Sequence, residues 1–168
     1  MGCEISSRKE ILMRRRDREV TDSDDLLGIM QRCDVCRLAL NDNDGFPYIV
    51  PLNFGIQIND KGDIGLIFHS AQVGHKLDLI KADDRASFEM DCGHELQYIK
   101  DEGYCSMSFE SVMGKGRIRI LSGDEKNSAL RALMDQYHPG EDAYYNPAAT
   151  ERTAVYCLDI SEMTGKRK

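Results

Sequence analysis

No apolar run in this 168-residue chain reaches the length of a membrane span, and no signal-peptide core follows its start. No GxGxxG or GxxxxGK(S/T) stretch occurs, so Rossmann and P-loop readings lack their motifs. No Ser-His-Asp or Cys-His order can be assembled, which leaves hydrolytic catalysis without support. Positive charge is in deficit: 22 Lys and Arg face 29 Asp and Glu, a net charge of −7. That balance argues against a nucleic-acid surface. The basic clusters at Arg8–Arg18 and Lys166–Lys168 read instead as solvated ends or salt-bridge donors.

A disulfide framework is also missing. Six cysteines, at 33 and 36 and at 3, 92, 105 and 157, are scattered as reduced thiols would be in a cytoplasmic protein. Cys33-Asp34-Val35-Cys36 has CxxC spacing, but a structural zinc site needs two more ligands. Cys92-Gly93-His94 is the one supplement, so a site built from Cys33, Cys36, Cys92 and His94 is the minor reading. The expectation is no metal, with Cys33 and Cys36 as small buried apolar residues. Met1–Ser6 fits the short myristoylation pattern, against the plainer reading of a disordered start.

What is present is one domain, at residues 13–168, behind a flexible arm at 1–12. Asp22 and the acids after it open a helix whose apolar face is Leu26, Leu27, Ile29 and Met30. Strands are expected at 35–40, 48–56, 64–68, 85–90, 109–121 and 154–160, with helices at about 75–82 and 124–137. Residues 93–105 read as less regular and 138–152 as a polar connection. Strands in hairpin order with single helices between them favour an antiparallel sheet or small barrel with peripheral helices.

The strongest chemical signal is Phe68-His69-Ser70-Ala71-Gln72-Val73-Gly74-His75-Lys76, which joins an apolar strand to a helical pattern. The first turn of a helix has unsatisfied N–H groups and a positive dipole end. Ser70 adds a hydroxyl donor and Lys76 a full charge, which makes a phosphate-binding element. His69 points to the other face of its strand and is either a proton donor, a stacking partner or a structural histidine. Pro51 interrupts a ladder on an edge or at a bulge, where it either guards an edge against aggregation or leaves backbone groups for a flat ring. Gly114-Lys115-Gly116 inside a strand predicts a bulge, or else a close approach by a ligand or second subunit.

Phe68-His69-Ser70, followed after four intervening residues by His75-Lys76, is similar to the flavin-phosphate motif of pyridoxamine 5′-phosphate oxidase-like proteins. Within that superfamily the chain most resembles the nitroimidazole-resistance (Nim) proteins. The resembling segments are 13–20, 34–39, 48–55, 93–96, 111–116 and 163–167, in that order. The resemblance implies a six-stranded antiparallel split β-barrel, mainly β with peripheral helices, acting as a homodimer with FMN (FAD is the alternative flavin) in each interface cleft. Ser70, His75 and Lys76 would hold the phosphate. Val50, Pro51, Leu52 and Asn53 would lie along the isoalloxazine, with Phe68 and His69 nearby. His69 would be the reactive residue, and Ser111 would approach from the partner subunit. The implied activity is a flavin-dependent oxidoreductase, with NAD(P)H as donor and a small electron-poor acceptor such as a 5-nitroimidazole. A non-catalytic flavin- or haem-binding protein, with His69 or His94 on the iron, is the alternative. Two departures stand out. His75 occupies a position where the oxidases usually carry Arg, and the carboxy-terminal Trp…Arg pattern for pyridoxal phosphate is missing.

Overall fold

A computed structural model of the chain describes residues 13–141 and 144–168; the expected arm at 1–12 lies outside them. A 3-10 turn at Arg16–Arg18 leads into β1 (Glu19–Val20). Helix α1 (Ser23–Arg32) starts where it should: Asp22 Oδ1 accepts the N–H groups of Asp24 and Asp25, each at 3.0 Å. Its Leu26, Ile29 and Met30, spaced by three and four, are buried.

The hairpin β2 (Cys36–Asn41) and β3 (Pro47–Leu52) is followed by a second, β4 (Gly55–Ile58) and β5 (Ile64–Ala71). Helix α2 (His75–Ala82) comes next, then a long hairpin of β6 (Arg85–Ile99) and β7 (Tyr104–Leu121). Helices α3 (Gly123–Tyr137) and α4 (Pro147–Glu151) precede β8 (Thr153–Arg167). The strands form one antiparallel sheet in the order β3-β2-β6-β7-β8-β5-β4, with β1 added to β8.

Its two outer members, β3 and β4, are joined by Asn53 and Phe54 alone. Three Cα steps span at most about 11 Å, so one end of each margin lies close to the other and the sheet is curled. Phe68, Leu38, Leu40, Met90, Val112 and Tyr156 pack inside the curl. Ile67, Val155 and Cys157 face the other way, where Leu121, Ala129 and Leu130 cover them. Residues 65–68 of β5 and 155–158 of β8 are thus buried on both faces, which explains the unbroken apolar run from Ile64 to Phe68.

The sheet has eight strands, which corrects the expected six. The segment read as one strand at 48–56 is two, because Phe54 turns inward at the corner. The Tyr137 hydroxyl holds that corner, accepting the Phe54 N–H at 3.0 Å and donating to the Asp34 carbonyl at 2.8 Å. The two-residue β1 is the other addition. Of residues 93–105, read as less regular, 93–99 and 104–105 continue the β6–β7 ladder, with a bulge between Cys92 and Glu95, and a 3-10 turn at Lys100–Glu102 joins the two strands. The expected bulge at the glycine pair is present between Lys115 and Gly116. A Cβ on Gly116 would sit 2.0 Å from the Asp159 carbonyl oxygen, so β8's own backbone is what approaches closely.

Candidate functional site

Ser70 and Lys76 lie on either side of the β5–α2 turn. Gly74, at φ +141°, is the residue before α2, and no side chain caps the helix. The first N–H groups of α2 are therefore left for another acceptor. Asp22 caps α1 and Asn146 caps α4, whereas α3, like α2, has no side-chain cap. Burial pushes the Lys76 ammonium below its ordinary pKa. Lys76 pairs with no carboxylate among the described residues. A partly desolvated cation beside uncapped amides is an arrangement suited to an anion.

His69 is solvent-exposed, yet the protein crowded around its ring and the charge of Lys76 push its pKa down. The imidazole is thus neutral at neutral pH and has one N–H to donate and one nitrogen to accept. Phe68 is fully buried, its ring stacked on Tyr156 with centroids 5.7 Å apart. It supports the turn from within.

His75, the first residue of α2, turns toward the β2–β3 hairpin. Its Nε2 lies 2.7 Å from Asp42 Oδ2, and its ring meets Tyr48 edge-on at 5.1 Å. The side chain is engaged with a carboxylate, so of His75 the backbone N–H remains directed by the helix. This contact joins α2 to β3, whose residues 50–53 were expected along a flat ligand. Strand β3 is an edge, one of the two settings that Pro51 allowed. Val50 and Leu52 are half-buried against the core, while Pro51 and Asn53 are exposed.

Two residues were not legible in advance. Asp42 is one. Tyr156 is the other: its ring is fully buried and its hydroxyl has no hydrogen-bond partner. Register explains where the hydroxyl sits. Phe68 faces Tyr156 and Ser70 faces Ala154, so Ser70 and Tyr156 are diagonal neighbours on one face of β5–β8. The Ser70 hydroxyl donates instead to the Ala71 carbonyl at 2.9 Å. Burial pushes the Tyr156 phenol up to about 12, with the adjacent Ser70 hydroxyl pulling the other way. An unsatisfied buried hydroxyl costs about 1–3 kcal/mol.

Ser111 is not brought to this cluster. It pairs with Lys166, whereas Ser70 pairs with Ala154, twelve residues back along β8. That is roughly 40 Å of extended strand. His94 is also elsewhere, on β6, its Nε2 2.7 Å from Asp91 Oδ2. Two strands separate β6 from β5, so His69 and His94 do not share a site. Cys33 and Cys36 are buried, at 3% and 0% exposure, in the apolar role expected of them. The Cys33 and Cys92 sulfurs converge on one carbonyl, that of Ile29, at 3.3 and 4.0 Å. No group of three or more metal-binding side chains occurs among the described residues. A separate groove of about 650 Å³ is lined by residues of β2, β6, β7 and β8 and contains none of the β5–α2 residues. Its Arg85, Lys115 and Arg117 are already paired with Asp83, Glu162 and Asp84, so its charge is largely neutralised.

No helix among the described residues is long and apolar enough to cross a membrane. No curated protein is significantly similar in sequence. Solved structures are. A candidate 5-nitroimidazole antibiotic resistance protein from Bacteroides thetaiotaomicron shares 29% identity over 89% of this chain and 86% of its own, with a TM-score of 0.77. A flavocytochrome from Azotobacter vinelandii shares 22% identity over 94% of this chain and 72% of its own, with a TM-score of 0.75. A FAD- and haem-binding protein from Mycobacterium smegmatis shares 20% over 90% and 73%, with a TM-score of 0.74. These last two share the fold. The pyridoxamine 5′-phosphate oxidase family model matches residues 22–167, nearly the whole described domain, and the chain belongs to that family.

Proposed function

We propose that the protein is a flavin-dependent oxidoreductase that reduces small electron-poor compounds of the nitroimidazole type, with FMN as its cofactor. The observation that carries the reading is Lys76, an unpaired and partly desolvated ammonium at the uncapped start of α2. Bound at this site, the flavin would supply two-electron transfer from a reductant such as NAD(P)H to the acceptor. Lys76, the Ser70 hydroxyl and the first amides of α2 would hold its phosphate. Val50, Pro51, Leu52 and Asn53 would lie along the ring, against the exposed edge that Ile49 and Pro51 present. His69, neutral and solvent-exposed, would offer its N–H to an acceptor oxygen. The similarity to the Bacteroides protein supports the nitro class of acceptor.

The working unit would be a homodimer. Ser111, remote from Ser70 within one chain, could then reach a flavin from the partner subunit. The exposed Leu96, Tyr98 and Met107, on one face of the β6–β7 hairpin, support a surface that a second copy covers.

An absorbance spectrum and an FMN titration of the wild type and of Ser70→Ala/Lys76→Ala test the cofactor. Flavin should bind near one per chain and be lost in the double variant. Reduction of a 5-nitroimidazole with NADH or NADPH then tests the acceptor. Protein that takes up neither FMN nor FAD would overturn the reading, and bound flavin that no nitro compound re-oxidises would overturn the substrate class.

A further inference from the structure

The Tyr156 hydroxyl is fully buried, has no partner, and lies diagonally across the β5–β8 ladder from Ser70. Ser70 meanwhile gives its proton to the Ala71 carbonyl one residue away. A serine hydroxyl has one proton and two lone pairs. It can therefore donate to an anion and accept from a phenol at once. We infer that Tyr156 is a positioning residue for the anion site: when a phosphate occupies the β5–α2 turn, Ser70 swings its proton from Ala71 to the phosphate, and its oxygen accepts the Tyr156 O–H.

Three observations support this. The phenol is fixed by its stack on Phe68, so its hydroxyl cannot escape to water. Ser70 is half-buried at the strand end and its present acceptor is local, so one χ1 change redirects it. The phenol is a donor at every working pH, because burial holds its proton on. Anion binding thus satisfies a donor that the protein otherwise leaves buried and unpaired, and affinity gains by that difference.

The inference rests on the flavin-phosphate reading, and the test separates the two. FMN and riboflavin, which lacks the phosphate, are titrated against wild type, Tyr156→Phe, Ser70→Ala and the double variant. FMN affinity should fall about three- to tenfold in Tyr156→Phe, with riboflavin affinity and the melting temperature of the flavin-free protein unchanged or the latter raised. In the Ser70→Ala background, Tyr156→Phe should cost nothing further. Equal FMN affinity in wild type and Tyr156→Phe overturns the inference alone. So does an equal loss toward FMN and riboflavin, which would make Tyr156 a packing residue. Wild type that binds FMN no better than riboflavin overturns the phosphate reading, and this inference with it. Tyr156→Met, which also removes the hydroxyl, replaces Tyr156→Phe if that variant gives no folded protein.

Discussion

The imidazole of His75 and the carboxylate of Asp42 meet at 2.7 Å although 33 residues separate them in sequence. The contact holds the start of α2 against the β2–β3 turn. It also sets a negative group beside an amide cluster suited to anions. The His75 hydrogen bond, and then the Asn43 N–H, hold Asp42 below the ordinary carboxylate range, so it is ionised. Asp42→Asn should tighten FMN binding about two- to fivefold, the size of one screened charge contact near a surface. Isothermal titration at low and high salt measures it, and the gain should shrink as salt rises.

His69 gives the protein a pH dependence of known sign. Its folded pKa is below the unfolded value of 6.5, through burial first and the Lys76 charge second. As pH falls, the unfolded chain takes the proton first, so stability is lost below about 6.5. Melting temperatures between pH 5 and 8 should decline on the acid side in the wild type. In His69→Gln the decline over that window should be shallower; parallel curves would show that His69 contributes nothing to it.

Thiol labelling should rank the cysteines of the folded protein. Cys105 is exposed and Cys92 half-buried, while Cys33, Cys36 and Cys157 are buried. Burial pushes the Cys36 and Cys157 thiols up to about 12, with neighbouring Glu89 and Asp159 adding to it. Among the described cysteines, mass spectrometry after a brief alkylation at pH 7.5 should find Cys105 modified first and Cys92 second, with Cys36 and Cys157 reacting only in denaturant.

Gly116→Ala should destabilise the fold without touching the β5–α2 turn. The added methyl would meet the Asp159 carbonyl of the adjacent strand, and backbone cannot step aside. A loss of about 3 kcal/mol, or roughly 5–10 °C in melting temperature, is expected by calorimetry.

The alternating and apolar runs were enough to place the main strands, because half-buried and doubly buried strands each have their own pattern. What local pattern could not show was a break decided at a distance. Residues 48–56 divide at Asn53-Phe54 because Tyr137, 83 residues on, holds the corner. The C-terminal basic run became strand because β7 and β1 supply ladders for it, and Arg167 pairs with Glu110 there. Helix α4 corrects the polar connection expected at 138–152; it starts at Asn146-Pro147, a cap followed by a helix-compatible proline. At the site, Ser70 and Lys76 were legible because strand, turn and helix follow each other in the chain. Asp42 and Tyr156 were not, since only the folded register sets them beside His75 and Ser70.

The strand order carries a further consequence for how the chain is made. Hairpin β4–β5 joins the rest of the sheet through β8, which spans Thr153–Arg167. During synthesis β5 leaves the ribosome more than eighty residues before its partner does. Its Ile64–Phe68 run, apolar on both faces, must wait in that interval without a neighbour on one side. The nascent sheet therefore keeps a sticky margin until β8 has emerged to cover it.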